Sequence, residues 1–135
     1  MSPTTPPTAR RVLAIDFDNT IAPWGPLFDL DPPFEGVAEA MNRAAQAGYR
    51  IVILTSRLSP RWWMDDFEEF GYKNPDVFGF ANRKYVESYL NYWNIPFFEI
   101  TCEKVPAEIY FDDKGYHVPP GMLGWMIDAH LGRNE

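Results

Sequence analysis

Residues 12–20 read "VLAIDFDNT": four apolar residues run straight into Asp16, Asp18 and Thr20 at alternate positions. A short continuous apolar run rich in β-branched residues suits a strand buried on both faces of a parallel sheet. "IVIL" (51–54) and "IYF" (109–111) repeat the pattern, and "FFEI" (97–100) is a further candidate strand. Helical periodicity lies between them. Val37, Met41, Ala44 and Ala45 recur at helical spacing before Gly48, Trp63, Phe67 and Phe70 before Gly71, and Tyr85, Val86, Tyr89, Leu90 and Trp93 before Pro96. "MLGWMIDAHL" (122–131) reads as a closing helix, weakened by Gly124. The order β-α-β-α-α-β-β-α predicts a doubly wound α/β sandwich.

The strand ends carry the informative pattern. Asp16 and Asp18 end the first, Thr55, Ser56 and Arg57 come after the second, and Asp112 and Asp113 come after "EIYF". In a parallel sheet these C-terminal ends share one edge, and a crevice opens where the strand order reverses. A single Asp there is commonly a turn or cap residue; four carboxylates on one edge ask for another explanation. Crowded carboxylates repel unless a cation neutralises them. Magnesium suits an all-oxygen donor set, and it would cancel charge between the carboxylates and an incoming phosphoryl group. Lys104 or Lys114 and the Thr55 hydroxyl could hold the phosphoryl oxygens, while an aspartate could attack phosphorus.

Composition narrows the function classes. The chain has 135 residues, enough for one core. A net charge of -7 disfavours nucleic acid and anionic membrane as partners. One cysteine, Cys102, excludes an intramolecular disulfide, and with two histidines it argues against structural zinc. No run approaches the roughly 20 apolar residues of a membrane span, and the start lacks a signal-peptide core, so a cytoplasmic location is expected. Residues 1–10, rich in Pro and Thr, read as a disordered tail, and 11–135 as a single domain.

The ordered motifs resemble the haloacid dehalogenase (HAD) superfamily in its phosphatase form. "DFDNT" is similar to that family's first motif, "IVILTSR" to its second, Lys104 in "CEKVPAEIYFDDKG" to its third and "IYFDD" to its fourth. The resemblance spans residues 11–118 and implies a Rossmann-like three-layer sandwich with a central parallel sheet. It also implies a magnesium-dependent phosphomonoester hydrolase working through an aspartyl-phosphate. By that likeness Asp16 would be the nucleophile and a metal ligand, and Asp18 the general acid and base, with its backbone carbonyl on the metal. Thr55 and Lys104 would hold the phosphoryl group, and Asp112 and Asp113 would complete the Mg2+ site, with Asp112 the preferred direct ligand. Thr20 would tie the turn.

Spacing sets the cap. Only 36 positions separate Asp18 from Leu54, and 46 residues lie between Arg57 and Lys104, so the resemblance is to a capless member with "IAPWGPLFDLDPP" as a short flap. The net charge favours a phosphorylated small molecule such as a nucleotide or sugar phosphate, whereas open sites of this kind in the family often act on macromolecules or borrow a neighbouring subunit as lid. Nucleic-acid ends and phosphoproteins are the alternative substrates, a catalytically silent HAD-like binding domain the alternative class, and a homodimer is credible. A receiver domain would need a phosphoacceptor Asp on the middle strand, which "IVILTSR" lacks. Ser56 and Arg57 are candidate substrate ligands, Arg57 being alternatively a surface ion-pair partner for a nearby acid. Trp24, Trp62 and Trp63 could stack a base or simply pack, and His117 could reach the mouth of the site or serve only as a turn residue.

Overall fold

In a computed structural model of the chain, residues 11–26, 28–59, 67–103, 105–111, 118–119 and 121–133 are described. Four strands, β1 (Val12–Asp16), β2 (Arg50–Leu54), β3 (Glu99–Thr101) and β4 (Ile109–Phe111), form one sheet in the order β3-β2-β1-β4. Every pairing is parallel. The sequence therefore winds outward from β1 through β2 to β3, then returns across the sheet to β4. This is the reversal of strand order that opens a crevice beside β1.

The apolar run of β1 is buried because β1 is flanked on both edges. Leu13 stands level with Ile51 on one side and Ile109 on the other, and Ile15 with Ile53 and Phe111. Leu13 and Ile15 share a single hydrophobic cluster with Ile51, Ile53, Ile100 and Phe111 and with all three described helices. Ala14 and Val52, on the alternate face, are buried as well. An α/β fold of Rossmann-like type around a central parallel sheet is the architecture observed.

Helix α1 (Val37–Gln46) buries Val37, Ala40, Met41 and Ala44, so three of the four expected positions hold, with Ala40 buried in place of Ala45, which is only partly buried. Helix α2 (Pro75–Tyr92) starts well before its predicted stripe. Asn74 caps it by accepting the Asp76 N–H at 2.8 Å, and Pro75 occupies the first turn, where its missing N–H costs nothing. Helix α3 (Leu123–Arg133) packs on α1, and the Arg43 guanidinium donates to both Asp128 carboxylate oxygens across that contact at 2.9 and 2.7 Å.

Two expectations need revision. The helix anticipated over Trp63, Phe67 and Phe70 is, within the described residues, a single 3-10 turn, Phe67–Phe70, with no buried member. Phe70 meets Phe28 of the loop after β1 and Phe78 of the following helix, so its spacing mimicked a core stripe. The strand expected over 97–100 forms two residues later, and Phe98 is exposed, although its N–H donates to the Ile51 carbonyl at 2.7 Å.

Candidate active site

Asp16 closes β1, level with Leu54, and is half-buried. The Phe17 N–H continues the pairing to the Leu54 carbonyl at 2.9 Å, and the Phe17 ring turns into the core, edge-on to Tyr89 at 5.5 Å. Alternation therefore puts Asp16 and Asp18 on the opposite side of the chain from the Phe17 ring. A tight turn comes next. The Phe17 carbonyl accepts from the N–H groups of Thr20, Ile21 and Ala22, and Asn19 adopts a left-handed φ of 61°. Asn suits that conformation, and its side-chain oxygen accepts the Trp24 N–H at 2.8 Å. Thr20 is buried beneath this turn, in keeping with a structural role.

Thr55 follows β2 and is buried, its N–H donating to the Thr101 carbonyl at 2.9 Å. Its hydroxyl oxygen accepts the Arg57 N–H at 3.1 Å and caps the 3-10 turn Ser56–Leu58. Ser56 faces solvent, whereas Arg57 is only 1% exposed. The Arg57 Nε donates to Asp18 Oδ1 at 2.9 Å and Nη2 to the Gly25 carbonyl at 2.8 Å, while the guanidinium lies 4.8 Å from the centre of the Trp24 ring. Arg57 is thus the ion-pair partner of an acid, as one expectation had it, but the pair is buried. Trp24 is half-exposed, with its ring against this cation.

The electrostatics of Asp18 result from opposing effects. Burial raises its carboxyl above the ordinary range, while the charge and hydrogen bond of Arg57 and the Thr55 hydroxyl pull it back without cancelling the rise. Its Oδ2 is buried and has no hydrogen-bond partner among the described residues.

Asp18, Thr55, Arg57 and Trp24 are brought together, with Asp16 at the same strand edge. Lys104, Asp112, Asp113, Lys114, His117, Trp62 and Trp63 lie outside the described residues. Among the described residues no three His, Cys, Asp or Glu side chains cluster in a way that could hold a metal. The described residues do offer hard oxygen donors for Mg2+ in the Asp16 carboxylate and the Asp18 backbone carbonyl, at one strand edge. A cavity of about 380 Å³ lined by Arg11, Arg43, Tyr49 and Asp128 lies by the segments that enter β1 and β2, at the opposite end of the sheet from these carboxylates.

Sequence reasoning missed the Gly25 carbonyl and the anchoring of the flap. The Phe28 ring meets Phe70, Phe78 and Tyr85 edge-on at 6.0, 6.1 and 5.5 Å. The Tyr85 hydroxyl accepts the Leu30 N–H at 2.9 Å, and the Tyr89 hydroxyl donates to the Asp31 carbonyl at 2.6 Å. The one signal in the sequence was the excess of aromatics in α2, which periodicity assigns to the core.

No protein-family model matches this chain, and no curated protein matches it. Among solved structures, an MCSG target from Vibrio cholerae, known by its crystal structure, is similar over 92% of this chain and 98% of its own. The two share 19% identity with a TM-score of 0.52, a likeness of fold. No helix of the described residues is long and apolar enough to cross a membrane.

Proposed function

We propose that this protein is a magnesium-dependent phosphomonoester hydrolase that forms an aspartyl-phosphate on Asp16. The observation that carries this reading is the placement of Asp18. Its carboxyl lies two residues beyond a strand-end aspartate, beside Thr55, and burial holds it toward its protonated form despite Arg57. A group that must protonate a leaving alkoxide needs that bias.

Asp16 would attack phosphorus, forming the Asp16 O–P bond as the ester P–O bond breaks, while Asp18 gives its proton to the departing alcohol. Asp18 would then take a proton from water as that water attacks the aspartyl-phosphate, breaking the Asp16 O–P bond and releasing inorganic phosphate. Thr55 and Lys104 would steady the phosphoryl oxygens. Magnesium, held by Asp16, the Asp18 backbone carbonyl, Asp112 and Asp113, would supply positive charge against those oxygens. The net acidity supports a phosphorylated small molecule such as a nucleotide or sugar phosphate; phosphoproteins and nucleic-acid ends, which a short flap and open site also suit, are alternatives for a substrate panel.

Hydrolysis of 4-nitrophenyl phosphate is expected to require Mg2+, to stop with chelator, and to fall at least ~10³-fold in Asp16→Asn. Turnover by that variant at the wild-type rate overturns the nucleophile assignment. A wild-type protein inert toward the whole panel favours the silent binding domain.

A further inference from the structure

Resting on the phosphomonoesterase reading, we propose that Arg57 is a positioning residue for Asp18, and that it ties the geometry of the acid to the flap instead of binding the phosphoryl group. Its guanidinium engages Asp18 Oδ1, the Gly25 carbonyl and the face of Trp24. With Nε on Asp18, Nη2 on Gly25 and the residue only 1% exposed, the guanidinium is turned to these partners and not toward an incoming phosphoryl group.

The arrangement is over-determined from the sequence upward. The Thr55 hydroxyl fixes the turn that presents Arg57, so the side chain expected to touch phosphate also sets the partner of the acid. Nε on Oδ1 then distinguishes the two carboxyl oxygens. Oδ1 accepts from a permanent cation, leaving the buried Oδ2, which has no hydrogen-bond partner among the described residues, as the oxygen that carries the transferable proton. A buried ion pair adds little net stability over an apolar replacement, so orienting the carboxyl is the better reason for burying an arginine here. Gly25 and Trp24 belong to the flap. Their grip on the same guanidinium means that a displaced flap would misplace the acid.

The test separates positioning from phosphate binding by leaving group. A 4-nitrophenolate leaves without help, whereas an alkoxide needs the Asp18 proton. In wild type, Arg57→Gln and Arg57→Lys, kcat/KM is measured with 4-nitrophenyl phosphate and with ethyl phosphate, alongside thermal unfolding. We expect Arg57→Gln to lose roughly 10-fold to 100-fold more activity on the alkyl ester than on the aryl ester, as loss of part of a general-acid contribution requires. Arg57→Lys should fall between that variant and wild type. Equal losses on both esters, or a rise in KM with unchanged kcat on both, overturn the proposal in favour of a structural or phosphate-binding arginine. If Arg57→Gln lacks a cooperative melt, Arg57→Lys alone decides, by whether its aryl-to-alkyl ratio rises or stays at the wild-type value. Wild-type inactivity on both esters with Mg2+ instead overturns the underlying phosphatase reading.

Discussion

Glu108 illustrates how a single side chain links the sheet to the last helix. Its carboxylate lies 2.9 Å from His130 Nε2 on α3, just ahead of β4. Burial alone would raise its carboxyl, but hydrogen bonds from His130 and Tyr49, together with the His130 charge and the Arg11 backbone, outweigh it and leave Glu108 below its ordinary value of 4.5. A depressed carboxyl stabilises the fold above the unfolded value and loses that contribution as pH falls through the lowered one. The stability gap between wild type and Glu108→Gln should therefore be full above pH 4.5 and close below it, in urea melts taken across the acid range. A gap that is constant with pH would show that the ionised form is not what matters. Residues of this kind are hard to find in a sequence, because ion pairs between distant segments leave no periodic trace. Gly124 shows the same difficulty: what looked like a weak helix former lets α3 approach α1, since a Cβ there would sit 3.1 Å from the Gly36 carbonyl oxygen.

Elements are held by contacts as much as by their own propensity. The loop between β1 and α1 has little regular structure, yet Phe28 accepts a left-handed φ of 64° to place its ring among Phe70, Phe78 and Tyr85. That conformation is uncommon for a bulky residue, and the ring contacts offset it. Phe28→Ala is expected to destabilise the protein by about 1–3 kcal/mol, read by chemical denaturation. A loss within ~0.5 kcal/mol, the range of ordinary surface substitutions, would mean the ring anchors nothing. Periodicity exposed three of the four expected positions of α1, because Val37, Met41 and Ala44 lie on the one face that packs into the core. It exposed only the second half of α2, because the first half packs on aromatics from the flap and the 3-10 turn, and Phe80 on that half is exposed.

At the scale of the molecule, β1 is both the centre of the sheet and the source of the site. Its amides are enclosed by β2 and β4 and should exchange with solvent hydrogen only through global unfolding, while Asp29, bonded to Pro26 at 3.3 Å in an exposed loop, should exchange far sooner. Amide exchange followed by NMR checks this; β1 amides exchanging as fast as Asp29 would contradict it. The parallel sheet and the edge bearing Asp16, Asp18 and Thr55 were legible because apolar runs and the polar residues ending them are local in sequence. Strand order was not, and an ion pair of Arg57 with a nearby acid was expected without its partner or its burial, since these depend on where chain segments 39 positions apart come to rest.

The two tyrosine hydroxyls of α2 that hold Leu30 and Asp31 have a kinetic meaning. Freezing a loose segment onto an arriving molecule normally subtracts from the association free energy. On the phosphatase reading, the hydrogen bonds of Leu30 and Asp31, made within the folded chain, would lower that penalty at each encounter. On that same reading, discrimination among substrates would then rest on what fits beside a loop already in place, and product release would not wait for that loop to move.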